Sequence, residues 1–139
     1  MLRIAFALLL AGCAGAPPTE MRVILEPASY SASMSSKLGL GLTAVAEAPP
    51  GVKVRYLWRA DAGYFLSQNE STGEILNLGR ETKTDDVKIL WSYDPDEPAA
   101  IQKRPIAINS IAVNAKNSRS LARTDFTLFW DGDAVRAVH

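Results

Sequence analysis

The chain has 139 residues, with 15 basic and 15 acidic side chains, a single histidine and a single cysteine. That length suits one domain with a hydrophobic core of its own. The balanced charge argues against the strongly basic face that nucleic acid or a polybasic membrane contact requires, and one cysteine excludes an internal disulfide.

In chain order, the first informative stretch is Leu2 to Cys13. It opens on Arg3, runs apolar from Ile4 to Leu10 and closes on Leu10-Ala11-Gly12-Cys13. Ten helical residues cover about 15 Å, half the hydrocarbon thickness, so the run cannot span a bilayer. A positive start, an apolar middle and small residues at the end are the layout of a signal peptide. The ending resembles the lipobox of bacterial lipoproteins. The resemblance implies that Cys13 receives a diacylglyceryl group, that the chain is cut before it, and that the freed amine is acylated, palmitate being a typical chain. One acyl chain holds a protein only marginally, at about 0.8 kcal/mol per buried CH₂, whereas two or three make a stable anchor. Ala14, in place of an aspartate after the cysteine, implies the outer membrane facing the periplasm in a Gram-negative cell. The expected organisation is a signal peptide over 1–12, a lipidated cysteine and a tether carrying Gly15, Pro17 and Pro18 over 13–20, and one domain over 21–139.

From Met21 the pattern is that of strands. Met21 to Glu26 is β-prone and is stopped by Pro27; Ser29 to Ser36 reads as a loop or edge connection. Leu38, Leu40 and Leu42 alternate with small residues and are expected on one face. After the turn at Ala48-Pro49-Pro50-Gly51, the clearest strand places Val52, Val54, Tyr56 and Trp58 on one face and Lys53, Arg55 and Arg59 on the other, with Leu57 breaking the polar set. Asp61-Ala62-Gly63 turns the chain into Tyr64-Phe65-Leu66. Gln68 to Gly73 is a loop whose Asn69-Glu70-Ser71 matches a glycosylation sequon, a chance match in a bacterial lipoprotein. Glu74 to Leu78 is a short strand, Gly79 to Asp86 a polar connection, and Val87 to Tyr93 a strand with Val87, Ile89, Trp91 and Tyr93 on one face. Pro95 and Pro98 interrupt the ladder, and Ile106 to Ala115 is a central strand. Thr124 to Trp130, Asp131-Gly132 and Asp133 to His139 form a hairpin, expected to pair Leu128 with Val135, Phe126 with Ala137 and Trp130 with Asp133. Seven or eight short strands with no sustained helical period predict an all-β, immunoglobulin-like antiparallel sandwich.

The strand Tyr56-Leu57-Trp58 followed by Asp61-Ala62-Gly63 resembles the central strand of immunoglobulin-like domains of the PKD type, and Ile106 to Val113 is similar to their penultimate strand. Pro105 is followed by no tyrosine, so the family's Pro-Gly-x-Tyr signature is absent. The resemblance implies a fold type and no particular activity.

Candidate chemistry is sparse. The single histidine is His139 at the chain end, Cys13 is taken by lipid, and no nucleophile elbow or phosphate loop is present, so no enzyme is expected. Calcium takes six to eight oxygen ligands, for which Asp94, Asp96 and Glu97 in one loop, Asp131 and Asp133 in another and Asp61 in a third are candidates; as turn formers and solvated charges they need no metal, and no other cofactor is expected. Trp91, Tyr93 and Trp130 could form a stacking platform for a sugar or peptide; filling the space between sheets is the commoner use of such rings and is expected for Trp58 and Trp91, with Trp130, beside the hairpin tip, left open. Lys53, Arg55 and Arg59 read as a solvated sheet face. The expected function is a membrane-anchored, non-catalytic binding or structural domain with an envelope protein or glycan as partner. The alternatives are a carbohydrate- or peptidoglycan-binding module and an accessory or inhibitor subunit of an envelope enzyme.

Overall fold

The computed structural model describes residues 20–27, 29–31, 38–94, 105–132 and 134–138. Eleven strands occupy them: β1 (Met21–Glu26), β2 (Ser29–Tyr30), β3 (Leu40–Ala46), β4 (Val54–Ala60), β5 (Tyr64–Gln68), β6 (Ile75–Gly79), β7 (Glu81–Thr84), β8 (Lys88–Ser92), β9 (Ile106–Asn114), β10 (Ser120–Trp130) and β11 (Val135–Val138). They form two antiparallel sheets, ordered β1-β3-β8-β5-β6 and β2-β11-β10-β9-β4-β7. The runs β1-β3-β8-β5 and β10-β9-β4 reproduce the two-sheet strand order of an immunoglobulin-like sandwich.

Alternation creates the core. On β4, Tyr56, Trp58 and Ala60 point inward; on β9, Ile106, Ile108 and Ala112 do the same. Facing them from the first sheet are Leu40 and Leu42 on β3, Phe65 on β5, and Ile89 and Trp91 on β8. Burying each such side chain fully is worth about 1.5–3 kcal/mol. Trp58, 1 % exposed, lies against Phe65 with ring centroids 6.0 Å apart, where antibody domains would set a disulfide behind their tryptophan.

Four expectations need correction. The region expected as a polar connection contains β7, and the start of the expected Ser-rich loop contains β2, which pairs with β11. Leu38 and Val87 lie outside their strands and are exposed. The final hairpin pairs Trp130 with Val135 and Leu128 with Ala137, two residues away from the expected register. Its cause is the Asp131 side chain: Asp131 and Ala134 close the loop through Asp131 N–H to the Ala134 carbonyl at 3.0 Å, while Asp131 Oδ1 accepts the Ala134 N–H at 2.9 Å. Gly132, at φ 102°, then opens the turn one residue later than expected. A shift of two leaves every side chain on its own face, so the inward pattern survives.

Candidate functional site

The outer face of the second sheet is built by the residues that the core alternation leaves over. Register sets two rows across β7, β4, β9 and β10: Lys83, Leu57, Ile111 and Arg123 in one, and Glu81, Arg59, Asn109 and Asp125 in the next. Leu57 and Ile111 are half-buried and lie side by side as an apolar floor. Around them opens a recess of about 460 Å³, with Arg59, Glu81, Lys83, Asn109 and Arg123 in its lining.

Most of the charge on this face is matched. Arg59 pairs with Glu81 at 3.0 Å, Arg55 with Asp85 at 2.8 Å, and Arg123 with Asp125 at 2.8 Å. Hydrogen bonds from Arg55 and Arg123 hold the Asp85 and Asp125 carboxyls below their ordinary range. These are exposed pairs, and exposed pairs contribute little to stability; their effect is to hold long side chains upright around the floor. Lys83 has no ion pair among the described residues. Among the described residues Thr82 carries the recess's one hydroxyl, and neither histidine nor cysteine lines it. The chemistry available is apolar contact, hydrogen bonding and charge. Leu57 was visible in the sequence only as a break in a polar set; its neighbour Ile111 is 54 positions away and gives no local signal.

The residues singled out from the sequence are scattered. Trp91 and Tyr93 are 0 % and 5 % exposed: Trp91 fills the core as expected, and the alternative place of both in a stacking platform is corrected, because neither offers a free ring face. Trp91 Nε1–H donates to the Ala62 carbonyl at 3.0 Å, and its ring lies 5.9 Å from that of Tyr93. Trp130 is half-buried against the core beside Val135. Asp94 accepts a hydrogen bond from the Tyr64 hydroxyl at 3.1 Å. Burial first, and the Asp94 carboxylate as a smaller cause, push the Tyr64 phenol above its ordinary value.

Both carboxylate oxygens of Asp131 are engaged, one by the Ala134 N–H and the other by the Arg136 guanidinium. Asp61 Oδ1 accepts the Ala107 N–H at 3.0 Å. Among the described residues no three histidine, cysteine, aspartate or glutamate side chains come together as a metal site. Cys13, Asp96, Glu97 and Asp133 lie outside the described residues. Lys53, Arg55 and Arg59 belong to β4 and the approach to it; Arg59 lines the recess with its partner Glu81, while Arg55 and Asp85 lie outside its lining. The Asn69 side chain has a structural use: its Oδ1 accepts the N–H groups of Ser71 at 2.9 Å and Thr72 at 3.2 Å, shaping the loop into β6.

No family model, no curated protein and no solved structure matches this chain.

Proposed function

We propose that this chain is a lipid-anchored protein of the bacterial cell envelope whose sandwich acts as a non-catalytic binding module, taking a protein or glycan partner on the outer face of its second sheet. The observation that carries the reading is the Leu57–Ile111 floor, two half-buried apolar residues side by side, flanked in their own and the next row by Lys83, Arg123, Glu81, Arg59, Asn109 and Asp125. Sheet faces that meet only water alternate cleanly to polar residues. Here they give way where β4 and β9 adjoin, inside a recess rimmed by hydrogen-bonding groups. Such an arrangement, apolar at the centre and polar at the rim, is the anatomy of a recognition surface. Leu10-Ala11-Gly12-Cys13 supplies the anchor in this reading.

Two measurements test it. Labelled palmitate should enter the wild-type chain and not Cys13→Ser, which should leave the membrane fraction; equal labelling of both removes the anchor. Solubilised envelope protein and purified peptidoglycan are then offered to the immobilised wild-type chain and to Ile111→Lys. Retention of one component by the wild type, lost in Ile111→Lys at an unchanged melting temperature, supports the binding face. Equal retention by both, or none by either, defeats it.

A further inference from the structure

The two sheets have four edges, and three of them carry devices that discourage pairing with another chain. β1 exposes Arg22 and Glu26 and ends at Pro27, β2 has two residues, and β7 exposes Glu81 and Lys83. These are the usual protections of an edge. β6 has no such charge, proline or shortness; its one irregularity is a register shift against β5 that leaves Leu78 without a ladder partner. Its five residues, Ile75-Leu76-Asn77-Leu78-Gly79, include no charge and no proline, and Ile75 and Leu76 are 44 % and 52 % exposed.

The backbone of this edge is also available. The Asn69 N–H donates to the Glu74 carbonyl at 2.8 Å, so Glu74 directs its backbone toward β5. Inward and outward pairs alternate along an antiparallel ladder, which leaves Ile75 and Asn77 directing their N–H and C=O groups away from the sheet.

The sequence around this edge complements itself. When Glu74-Ile75-Leu76-Asn77-Leu78-Gly79-Arg80 is laid antiparallel on a second copy about Asn77, Leu76 meets Leu78 of the other copy and Glu74 meets Arg80, each contact occurring twice. Glu74 and Arg80 are both exposed, and neither enters an ion pair among the described residues. We propose that β6 is a self-association edge at which two copies pair antiparallel about Asn77, joining their first sheets into one continuous sheet. The outward backbone groups of Asn77 fall on the two-fold axis, as a hydrogen-bonded pair requires. Leu76 gains cover from Leu78 of the second copy, itself packed on that copy's core. Gly79, at φ 74°, bends the chain off the ladder toward β4, where the Arg80 carbonyl accepts the Ala60 N–H at 2.9 Å. The backbone pairing is therefore confined to the residues about Asn77. Glu74 and Arg80 meet beyond it only through their long side chains, and the dimer depends on concentration.

Disulfide trapping in the full chain tests the pairing, with Cys13→Ser in every variant so that one thiol is present. Residues in a hydrogen-bonded antiparallel pair have Cα atoms about 5.5 Å apart, which suits a disulfide, so Asn77→Cys should cross-link under mild oxidation while Lys83→Cys on the protected β7 edge should not. In the Asn77→Cys chain, Glu74→Arg or Arg80→Glu turns two attractive pairs into two repulsive ones and should weaken dimerisation about tenfold. The double exchange should restore it. Trapping of Asn77→Cys no faster than Lys83→Cys, or a double exchange that recovers nothing, overturns the proposal.

Discussion

Trp91 in the first sheet and Trp58 in the second sit on inner strands of opposite layers, and both have an indole N–H that needs an acceptor once buried. They obtain it differently. Trp91 donates to the backbone carbonyl of Ala62, inside a turn shaped around the ring. A Cβ at Gly63 would fall 2.4 Å from the Trp91 ring and 2.5 Å from the Ser92 carbonyl oxygen. Trp58 donates at 3.1 Å to the Thr84 hydroxyl on edge strand β7, and that hydroxyl in turn donates to the Asp86 carbonyl. One tryptophan is fixed by backbone and the other by a side chain near solvent. The lesson is that a sandwich without a disulfide can distribute its cross-links unequally between its layers: the sheet holding Trp91 is rigidly specified around it, and the sheet holding Trp58 is adjustable.

The largest expected effects test that inequality. Both Trp→Ala changes remove a large core aromatic, for which the cost is about 3–5 kcal/mol. Trp91→Ala should lie at the top of that range because it also orphans the buried Ala62 carbonyl. Trp58→Ala should lie lower, since Thr84 is near enough to solvent to bond water. Denaturant midpoints of the two variants give the order, and a larger loss for Trp58→Ala would reverse the comparison.

Gly63→Ala tests the backbone side. Gly63 has φ 71°, where an L residue costs about 1–2 kcal/mol, and overpacking of the kind its Cβ would cause adds about 1–3 kcal/mol. The expected loss is several kcal/mol in a thermal or denaturant melt. Gly51→Ala is the control for φ alone, because Gly51 has φ 79° with nothing among the described residues within contact distance of its Cβ. Equal losses at the two positions would show that the Trp91 ring yields and that its turn is not rigid.

Much of this layering was legible in the sequence, and the exceptions have physical causes. The period of two on β4 and β8 set Trp58 and Trp91 inward because a half-buried strand must segregate its faces. β7, with the sequence Glu-Thr-Lys-Thr, gave no such signal, since an edge strand with no large apolar side chain has little to segregate. The hairpin register was missed because the Asp131 carboxylate outcompetes a turn centred on Asp131-Gly132. The recess was legible only as Leu57 out of place; its floor arises from the pairing of β4 with β9, which no local pattern encodes.

The smallest effect is also the most discriminating, because its sign differs between the sheets. Ser92 and Ser110 are both buried, and both carry a hydroxyl into the interior. In the first sheet, Ser92 Oγ shares a 3.0 Å hydrogen bond with the Tyr30 hydroxyl, tying β8 across the sandwich to β2, and the Tyr30 hydroxyl lies 3.3 Å from the Leu38 carbonyl as well. In the second sheet, Ser110 Oγ, between Trp58 on β4 and Thr124 on β10, has no hydrogen-bond partner among the described residues. A satisfied buried hydrogen bond contributes about 0.5–1.5 kcal/mol, whereas an unsatisfied buried polar group costs about 1–3 kcal/mol. Ser92→Ala should therefore lower the melting temperature, and Ser110→Ala, which removes one oxygen and leaves little space behind, should raise it by a few degrees. A lower melting temperature for Ser110→Ala would mean that a buried water serves this hydroxyl. Trp58 would then border a polar pocket rather than a dry one, and the adjustable layer of the sandwich would be wet as well as loosely cross-linked.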